Sequence, residues 1–298
     1  MKWGDNDLAI IGGDDREIVL IRELYQRGYS LRVFGFPLEM MPKQVQVCRT
    51  VSEAVSGTRV VILPMPGIND NRQLYAKYLP AEVKVEEEDF SGIGHETCVF
   101  VGVASQYLKS LAQLFSFHLV EVAEQDLVAI PNSIPTAEGA IQLAMEKLPV
   151  TIHGTKVLVI GFGRVAKTLA LALKGLGANV TIAARNPAQL AKCRVLKYQE
   201  VELNNLAKYI GEADLIYNTV PAPVLGEKIL NQVKKDVLII DLASNPGGTD
   251  FSAAANLGVT AILAPGLPGK VAPLTAGKVL ARAYPPLIDS WLSRCTDG

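Results

Sequence analysis

The segment Lys156-Val-Leu-Val-Ile-Gly161-Phe-Gly163-Arg-Val-Ala166 carries an apolar strand into a helix through a glycine turn. The GxGxxA spacing leaves few folds open. Gly161 permits the tight turn, Gly163 lets backbone amides come close to a pyrophosphate, and Ala166 is small enough for the helix to lie on the strand. The helix start adds unpaired N–H groups and the positive end of a dipole. A lone fingerprint of this kind is weak, but here it follows a strand, opens a helix and sits in a full βαβ unit. The expected ligand is a dinucleotide, held by Gly161, Phe162, Gly163, Arg164 and Val165.

The rest of the second half alternates in the same way. Strands are expected at 156–160, 179–183, 213–218, 236–241 and 260–263. Helices are expected at 164–176, 187–191, 201–209, 226–233, 251–257 and from Thr275 to about Ser293. The first half opens with strand Leu8–Ile11, a Gly12–Gly13 turn, a helix near Arg16–Arg27 and strand Ser30–Phe34. Strands near 59–63 and 97–101, a helix near 106–117, and short extended pieces at 119–122 and 127–130 follow. Lys84–Asp89 (KVEEED) reads as a solvated edge or loop. The helical spacing of Ala140, Ile141, Ala144, Met145 and Leu148, closed by Pro149, predicts a helix joining the halves, with Thr136 as its N-cap. Such alternation predicts an α/β chain of two doubly wound parallel-sheet domains, the second a Rossmann dinucleotide-binding domain, with a bridging helix. The expected boundaries are 1–130 for an N-terminal substrate domain, completed by the C-terminal helix at about 275–298, 131–150 for the bridging helix and 151–274 for the nucleotide domain. Gly12–Gly13 lacks the third small position, so no second dinucleotide is assigned there.

Composition removes several function classes. The 298 residues are 49% hydrophobic and 20% charged with a net charge of −1, so no basic field invites nucleic acid. No run of 18 uncharged apolar residues suggests a membrane span. The opening MKWGDNDLAI does not read as a signal peptide. Cys48, Cys98, Cys193 and Cys295 lack CxxC spacing and read as reduced thiols of a cytoplasmic protein. His95, His118 and His153 are too dispersed for a metal site.

The strand after a glycine corner commonly ends in a carboxylate that binds the ribose hydroxyls. Here Thr181–Asn186 (TIAARN) contains none and places Arg185 in that position. A carboxylate would repel a 2′-phosphate, whereas a guanidinium matches it. NADP(H) is therefore favoured over NAD(H), with Asn186 beside it. In a doubly wound sheet the ligand lies beyond the carboxyl ends of the strands. That rule adds Thr219, Val220, Pro221, Ala243, Pro265 and Gly266 to the cofactor set, and in the first half selects Gly12–Arg16 and Pro64–Gly67.

Ordinary 2-hydroxyacid dehydrogenases use a late histidine and an arginine after the fifth strand of the nucleotide domain. This chain has no histidine after His153 and reads Asp241-Leu-Ala-Ser244 at that strand end. The layout is also similar to S-adenosylhomocysteine hydrolase, whose NAD site wants an acid where Arg185 stands. The segments PNSIPTAEGAI, TIHGTKVLVIGFGRVA, DLASNPGGTDF and APGLPGKVAPLTAG, with the opening IGGDDRE, together resemble the dipicolinate synthase A-subunit family over nearly the whole chain. The resemblance implies NAD(P)-dependent oxidation of a (4-hydroxy-)tetrahydrodipicolinate to pyridine-2,6-dicarboxylate on a branch of the lysine pathway, for endospores. It also implies a partner, a flavoprotein-like B subunit, and a homo-oligomer is expected. The chain departs from the family at Leu274, where members often carry lysine; Lys270 or Lys278 would then replace it.

After loss of water the ring lacks one hydride and one proton transfer to become aromatic, so no alcohol base is required. The two carboxylates of the substrate ask for cations or helix N-termini. The candidates are Arg16 and Lys270 as carboxylate ligands, Glu138 as proton acceptor or dipole partner, and Asn132 and Ser133 as hydrogen-bonding groups. His95 reads as a loop residue and His153 as a polar connector. Two rival readings remain: a non-catalytic NADP(H)-binding scaffold for a partner enzyme, and another NADP-dependent dehydrogenase. A shikimate-dehydrogenase-like enzyme would want a lysine–aspartate pair in the first domain, which the sequence alone does not place.

Overall fold

The computed structural model describes residues 8–244 and 246–294. The opening MKWGDND, Asn245, Cys295 and the last residues of the expected C-terminal helix lie outside them.

The chain folds into two compact units, one made of residues up to Pro131 together with those from Ala272 on, the other of Asn132–Val271. In the first, β1 (Leu8–Ile11), α1 (Asp15–Gln26), β2 (Leu31–Phe34), β3 (Gln46–Val47), α2 (Val51–Val55) and β4 (Val60–Ile62) are followed by the hairpin of β5 (Gln73–Leu74) and β6 (Val83–Lys84). Then come β7 (Cys98–Val101), α3 (Gln106–Phe115) and β8 (His118–Glu121). The six-stranded sheet has the order β3-β2-β1-β4-β7-β8 and is parallel throughout. The long helix α4 (Asp126–Lys147) leads on to the second unit.

There β9 (Lys156–Ile160), α5 (Arg164–Gly175), β10 (Asn179–Ala184), α6 (Pro187–Val195), β11 (Gln199–Glu202), β12 (Leu215–Asn218), α7 (Glu227–Leu230), β13 (Leu238–Asp241), α8 (Phe251–Asn256), β14 (Thr260–Leu263) and α9 (Leu267–Val271) form a second parallel six-stranded sheet with its helices. Its order is β11-β10-β9-β12-β13-β14. In both sheets the central strands are near-continuous apolar runs (LAII, KVLVI, LIID), as required when helices cover both faces. In each sheet two buried clusters, one per face, form the core. The order in which successive strands are laid down reverses between β1 and β4 in one sheet and between β9 and β12 in the other, the place where a doubly wound sheet opens a crevice.

The last helix, α10 (Pro273–Arg294), packs in the first unit. It lies against α1 at Gly277, where a Cβ would sit 2.7 Å from Val19 Cβ and 2.9 Å from the Arg16 carbonyl oxygen. Tyr284 is buried edge-on to Phe100, and Trp291 donates its indole N–H to the Arg59 carbonyl.

Three local expectations need correction. Leu127–Ile130 is helical rather than extended, because α4 begins at Asp126, ahead of Pro131. Thr136 is therefore interior, and its hydroxyl donates to the Asn132 carbonyl one turn back instead of capping. The prolines at 131 and 135 remove helix donors, but Val128, Pro135, Ala137, Ala140 and Ala144 are buried, and that packing offsets the proline cost of about 3 kcal/mol. The region near 201–209 is not one helix: it opens as edge strand β11 and continues as a 3₁₀ segment, Leu203–Lys208.

Candidate functional site

The glycine corner stands at the carboxyl end of β9, beside the switch point of the second sheet. Gly161 has φ +101°, a region that disfavours any side chain. A Cβ there would collide with Thr219 Oγ1 and come within 3.1 Å of Val220 Cγ2. Thr219 cannot move freely: its hydroxyl and its amide both bond the Ile160 carbonyl, at 2.8 and 3.0 Å. Gly163 is different. It is the N-cap of α5 with ordinary extended torsions, makes no side-chain cap, and nothing lies within 4 Å of where its Cβ would be. The fold requires a glycine at 161 but not at 163. The open ground above Gly163, in front of the uncapped first turn of a twelve-residue helix, is the cradle a pyrophosphate would fill. The residues present thus fit a dinucleotide.

The other expected cofactor residues distribute around this corner. Arg164 and Val165 begin α5, Arg164 exposed and Val165 half-buried. Phe162 is buried in the core against Tyr198 and below the Lys167 ammonium, so only its backbone faces a ligand. Arg185 follows β10 directly, is exposed, and makes no hydrogen bond or ion pair among the described residues. Asn186 is spent on the fold: its Oδ1 accepts the Ala188 N–H as N-cap of α6, with Pro187 at the first helical position. Val220 and Pro221 extend from β12, and Ala243 follows β13. Pro265 and Gly266 are exposed after β14, at the far edge of the sheet from β10.

A buried polar network lies beside these residues, with no mark in any single local stretch of sequence. Asn218 and Asp241 end two neighbouring strands in register and are both fully buried. Asp241 accepts from Ala243 N at 3.0 Å, Gly248 N at 2.9 Å, Thr249 Oγ1 at 2.6 Å and Asn218 Nδ2 at 3.0 Å. Asn218 also clasps Val220 at both its amide and its carbonyl. Gly248 is enclosed: a Cβ would lie 2.5 Å from the Ala222 carbonyl oxygen and 2.6 Å from Asn218 Nδ2. One carboxylate thus holds the loops after β12 and β13 in place. The legible signal was a polar residue closing each of two aligned apolar strands, LIYN and LIID, followed by Gly247-Gly248-Thr249.

Within the second unit, Ser133, Glu138 and Lys270 have different surroundings. Ser133 is buried, with its hydroxyl 2.6 Å from Thr168 Oγ1 on α5, a helix-to-helix bond. Glu138 is exposed one turn further along α4 and borders an apolar groove of about 510 Å³ beside the C-terminal half of α5, away from the glycine corner. Lys270 is exposed on α9, whose Leu267 and Val271 pack on Gly139.

Arg16 belongs to the first unit, at the carboxyl end of β1. It is buried, and Asp14 grips it at two atoms, Nε to Oδ1 and Nη2 to Oδ2, both 2.9 Å. Burial works against the Arg16 charge, and the Asp14 and Glu17 carboxylates outweigh it, raising its pKa. Nη1 has no partner among the described residues. Glu17 closes a capping box by accepting the Asp14 N–H at 2.8 Å. Burial pushes the Glu17 carboxyl up to about 7, against the pull of Arg16 and with the push of Asp14.

The turn before α1 is also already filled. Gly13 N donates to Tyr75 O at 2.8 Å, Lys77 N donates to Gly13 O at 2.9 Å, and a Cβ on Gly12 would lie 2.5 Å from Tyr75 O. Backbone occupies the place a pyrophosphate would take, and three carboxylates (Asp14, Asp15, Glu17) surround the helix start. The first sheet has nucleotide-fold order without a nucleotide corner.

These features define an oxidoreductase-type architecture whose second unit is a dehydrogenase-like NAD-binding domain. The family model described as D-isomer specific 2-hydroxyacid dehydrogenase, NAD binding domain, matches residues 134–246. The model for the N-terminal domain of the dipicolinate synthase A-subunit matches 7–123. The dipicolinate synthase A-subunit of Bacillus subtilis (strain 168) is 35% identical over 282 residues, 94% of this chain and 95% of that protein. The crystal structure of the same enzyme's A chain from Bacillus subtilis superposes with TM-score 0.89 at 34% identity over 98% of each chain. That of the A-subunit from Bacillus halodurans gives 0.88 at 33% identity, over 96% of this chain and 99% of that one. The chain belongs to the dipicolinate synthase A-subunit family.

Proposed function

We propose that this chain uses NADP+ to oxidise a dihydropyridine dicarboxylate, derived from (4-hydroxy-)tetrahydrodipicolinate, to pyridine-2,6-dicarboxylate. The observation that carries the cofactor half is Arg185: an exposed, unpaired guanidinium at the end of β10, where an NAD-selective corner has a carboxylate. A dinucleotide bound there would supply a two-electron acceptor at its nicotinamide. The residues of the chain do the rest. Amides of Gly163 and Arg164 would hold the pyrophosphate, Arg185 would pair with the 2′-phosphate, and the loops fixed by Asp241 would shape the nicotinamide end.

The substrate gives up one hydride and one proton, and aromatisation makes the step downhill, so positioning governs its rate. Arg16 is proposed as a carboxylate ligand through its Nη1 edge, with Asp14 as its positioning residue. Lys270 is proposed for the same kind of contact from α9. Ser133 and Glu138 are not retained as chemical groups, since one is tied to Thr168 and the other borders the groove. A flavoprotein-like B subunit is the proposed partner and the cytoplasm the proposed compartment; no described helix is long and apolar enough to cross a membrane.

The test is direct. The purified chain, given NADP+ and freshly prepared hydroxytetrahydrodipicolinate, should form the ultraviolet-absorbing pyridine product. If product arises only once the B subunit is present, the chain is a nucleotide-binding scaffold instead.

A further inference from the structure

We infer that Tyr75 is a second ligand-binding residue of the first unit: its phenol and the free Nη1 edge of Arg16 form one cradle for a carboxylate of a pyridine dicarboxylate. The inference deepens the reading of Arg16 as a carboxylate ligand and rests on it. The segment carrying Tyr75 crosses the carboxyl ends of β1 and β4, the switch point of the first sheet. The Tyr75 amide donates to the Gly67 carbonyl at 3.4 Å, its carbonyl accepts from Gly13 N at 2.8 Å, and Ala76 bridges Gly13 in parallel. Backbone therefore fixes where the side chain starts, while the residue stays 41% exposed. Its hydroxyl donates to Asp14 Oδ2 at 3.4 Å, the oxygen that also accepts from Arg16 Nη2 at 2.9 Å. One carboxylate thus sets the phenol beside the guanidinium.

Donor accounting singles out these two groups. Lys77 and Tyr78 are both committed to Asp15. The Arg16 and Glu17 amides of α1 are taken by the Asp14 side chain. Arg16 is held at Nε and Nη2, which leaves Nη1. The Tyr75 bond is longer than the about 2.5–3.0 Å usual for O–H···O, so its proton is available to a nearer acceptor. Burial and Asp14 raise the Tyr75 pKa against the pull of Arg16, which keeps the phenol a donor at neutral pH. The Arg16 side chain is only 8% exposed. A guanidinium already stripped of most of its water makes a stronger charge-assisted bond at its one open edge.

Charge decides the class of ligand. Asp14 offsets Arg16 and Asp15 offsets Lys77, so the cradle offers donors without a net positive field. A carboxylate brings two oxygens to two donors. A phosphate dianion asks for helix amides or surplus cations, and here the amides are spent and the Gly12–Gly13 turn is filled by backbone. Every group of the cradle belongs to the first unit, so binding there requires no nucleotide.

The experiment is isothermal titration of the full-length chain with pyridine-2,6-dicarboxylate in metal-free buffer, without nucleotide. The wild type should bind. Tyr75→Phe keeps the ring and removes the donor. It should weaken binding about tenfold or more, while the urea midpoint and the NADPH affinity stay those of the wild type. Arg16→Lys keeps a charge beside Asp14 but loses the fork, and should weaken binding at least as much. Inorganic phosphate at the same concentration should not compete. Loss of affinity in Arg16→Lys with none in Tyr75→Phe would overturn the role of Tyr75 and leave that of Arg16 standing. Wild-type affinity in both variants would overturn the two together. A wild type that does not bind without nucleotide would overturn the cradle as a site of the first unit alone, and displacement by phosphate would overturn its assignment to carboxylates.

Discussion

Gly163→Val separates what the fold needs from what the ligand needs. Gly163 has φ −82° and ψ −161°, torsions open to valine, and space for a Cβ. Losing a glycine N-cap costs up to about 1 kcal/mol, and stiffening the unfolded chain returns about 0.4–1 kcal/mol. The urea midpoint should therefore hardly move. Nucleotide binding should suffer, because the branched side chain would stand where the pyrophosphate approaches the amides. Loss of one charge-assisted hydrogen bond, about 1.5–3 kcal/mol, lowers affinity about ten- to a hundredfold. Gly161→Ala should behave in the opposite sense. Forcing an alanine to φ +101° costs about 1–2 kcal/mol. Displacing Thr219 from the Ile160 carbonyl adds about 1 kcal/mol. Removing the obstructing hydroxyl with Thr219→Ala should make Gly161→Ala cheaper by that second amount. Paired urea titrations and NADPH fluorescence titrations measure both quantities. A Gly163→Val chain that binds dinucleotide like wild type, or one that unfolds as readily as Gly161→Ala, would refute the assignment of this cradle.

Asp241→Asn turns an amide toward donors that now meet a carboxylate, and should cost about 3 kcal/mol with weaker nucleotide binding, read from the urea midpoint and a titration. Glu17 gives a pH signature. Its folded pKa of about 7 lies above its ordinary value of 4.5, so its contribution to stability is full below about 4.5 and is lost as pH rises toward and through 7. Glu17→Gln should flatten the stability–pH curve of the first unit in that window, and an unchanged slope would remove Glu17 as its cause. Tyr217→Phe deletes a buried hydroxyl donating to the Ala140 carbonyl at 3.0 Å; it should cost about 1 kcal/mol and lower the thermal midpoint without changing cofactor choice.

The sheets were legible because buried parallel strands are short apolar runs and the helices between them carry their own period. The glycine corner was legible because its spacing serves a specific geometry. α4 was half hidden: Pro131 made Leu127–Ile130 read as extended, since the residue before proline disfavours the helical region, and only tertiary burial overrides that preference. Thr136 reads as a cap for the same reason and is interior because α4 starts earlier. The Asn218–Asp241 network depends on two strands lying in register, which no local window reveals. The sequence withholds a second dinucleotide from Gly12–Gly13 for want of a third small position, but the backbone that fills this turn, Tyr75–Lys77, is invisible to it because that segment comes from more than sixty residues away. Arg16 follows β1 as its place in the sequence implies, whereas its clasp by Asp14 two residues earlier rests on side-chain geometry that the sequence does not display.

Cofactor choice tests the account most directly. Titrating the purified chain with NADP+ and with NAD+, then repeating both on Arg185→Asp, should give a wild type that prefers NADP+ and a variant that prefers NAD+. Equal affinities in the wild type, or a preference that survives the substitution, would contradict the role given to Arg185.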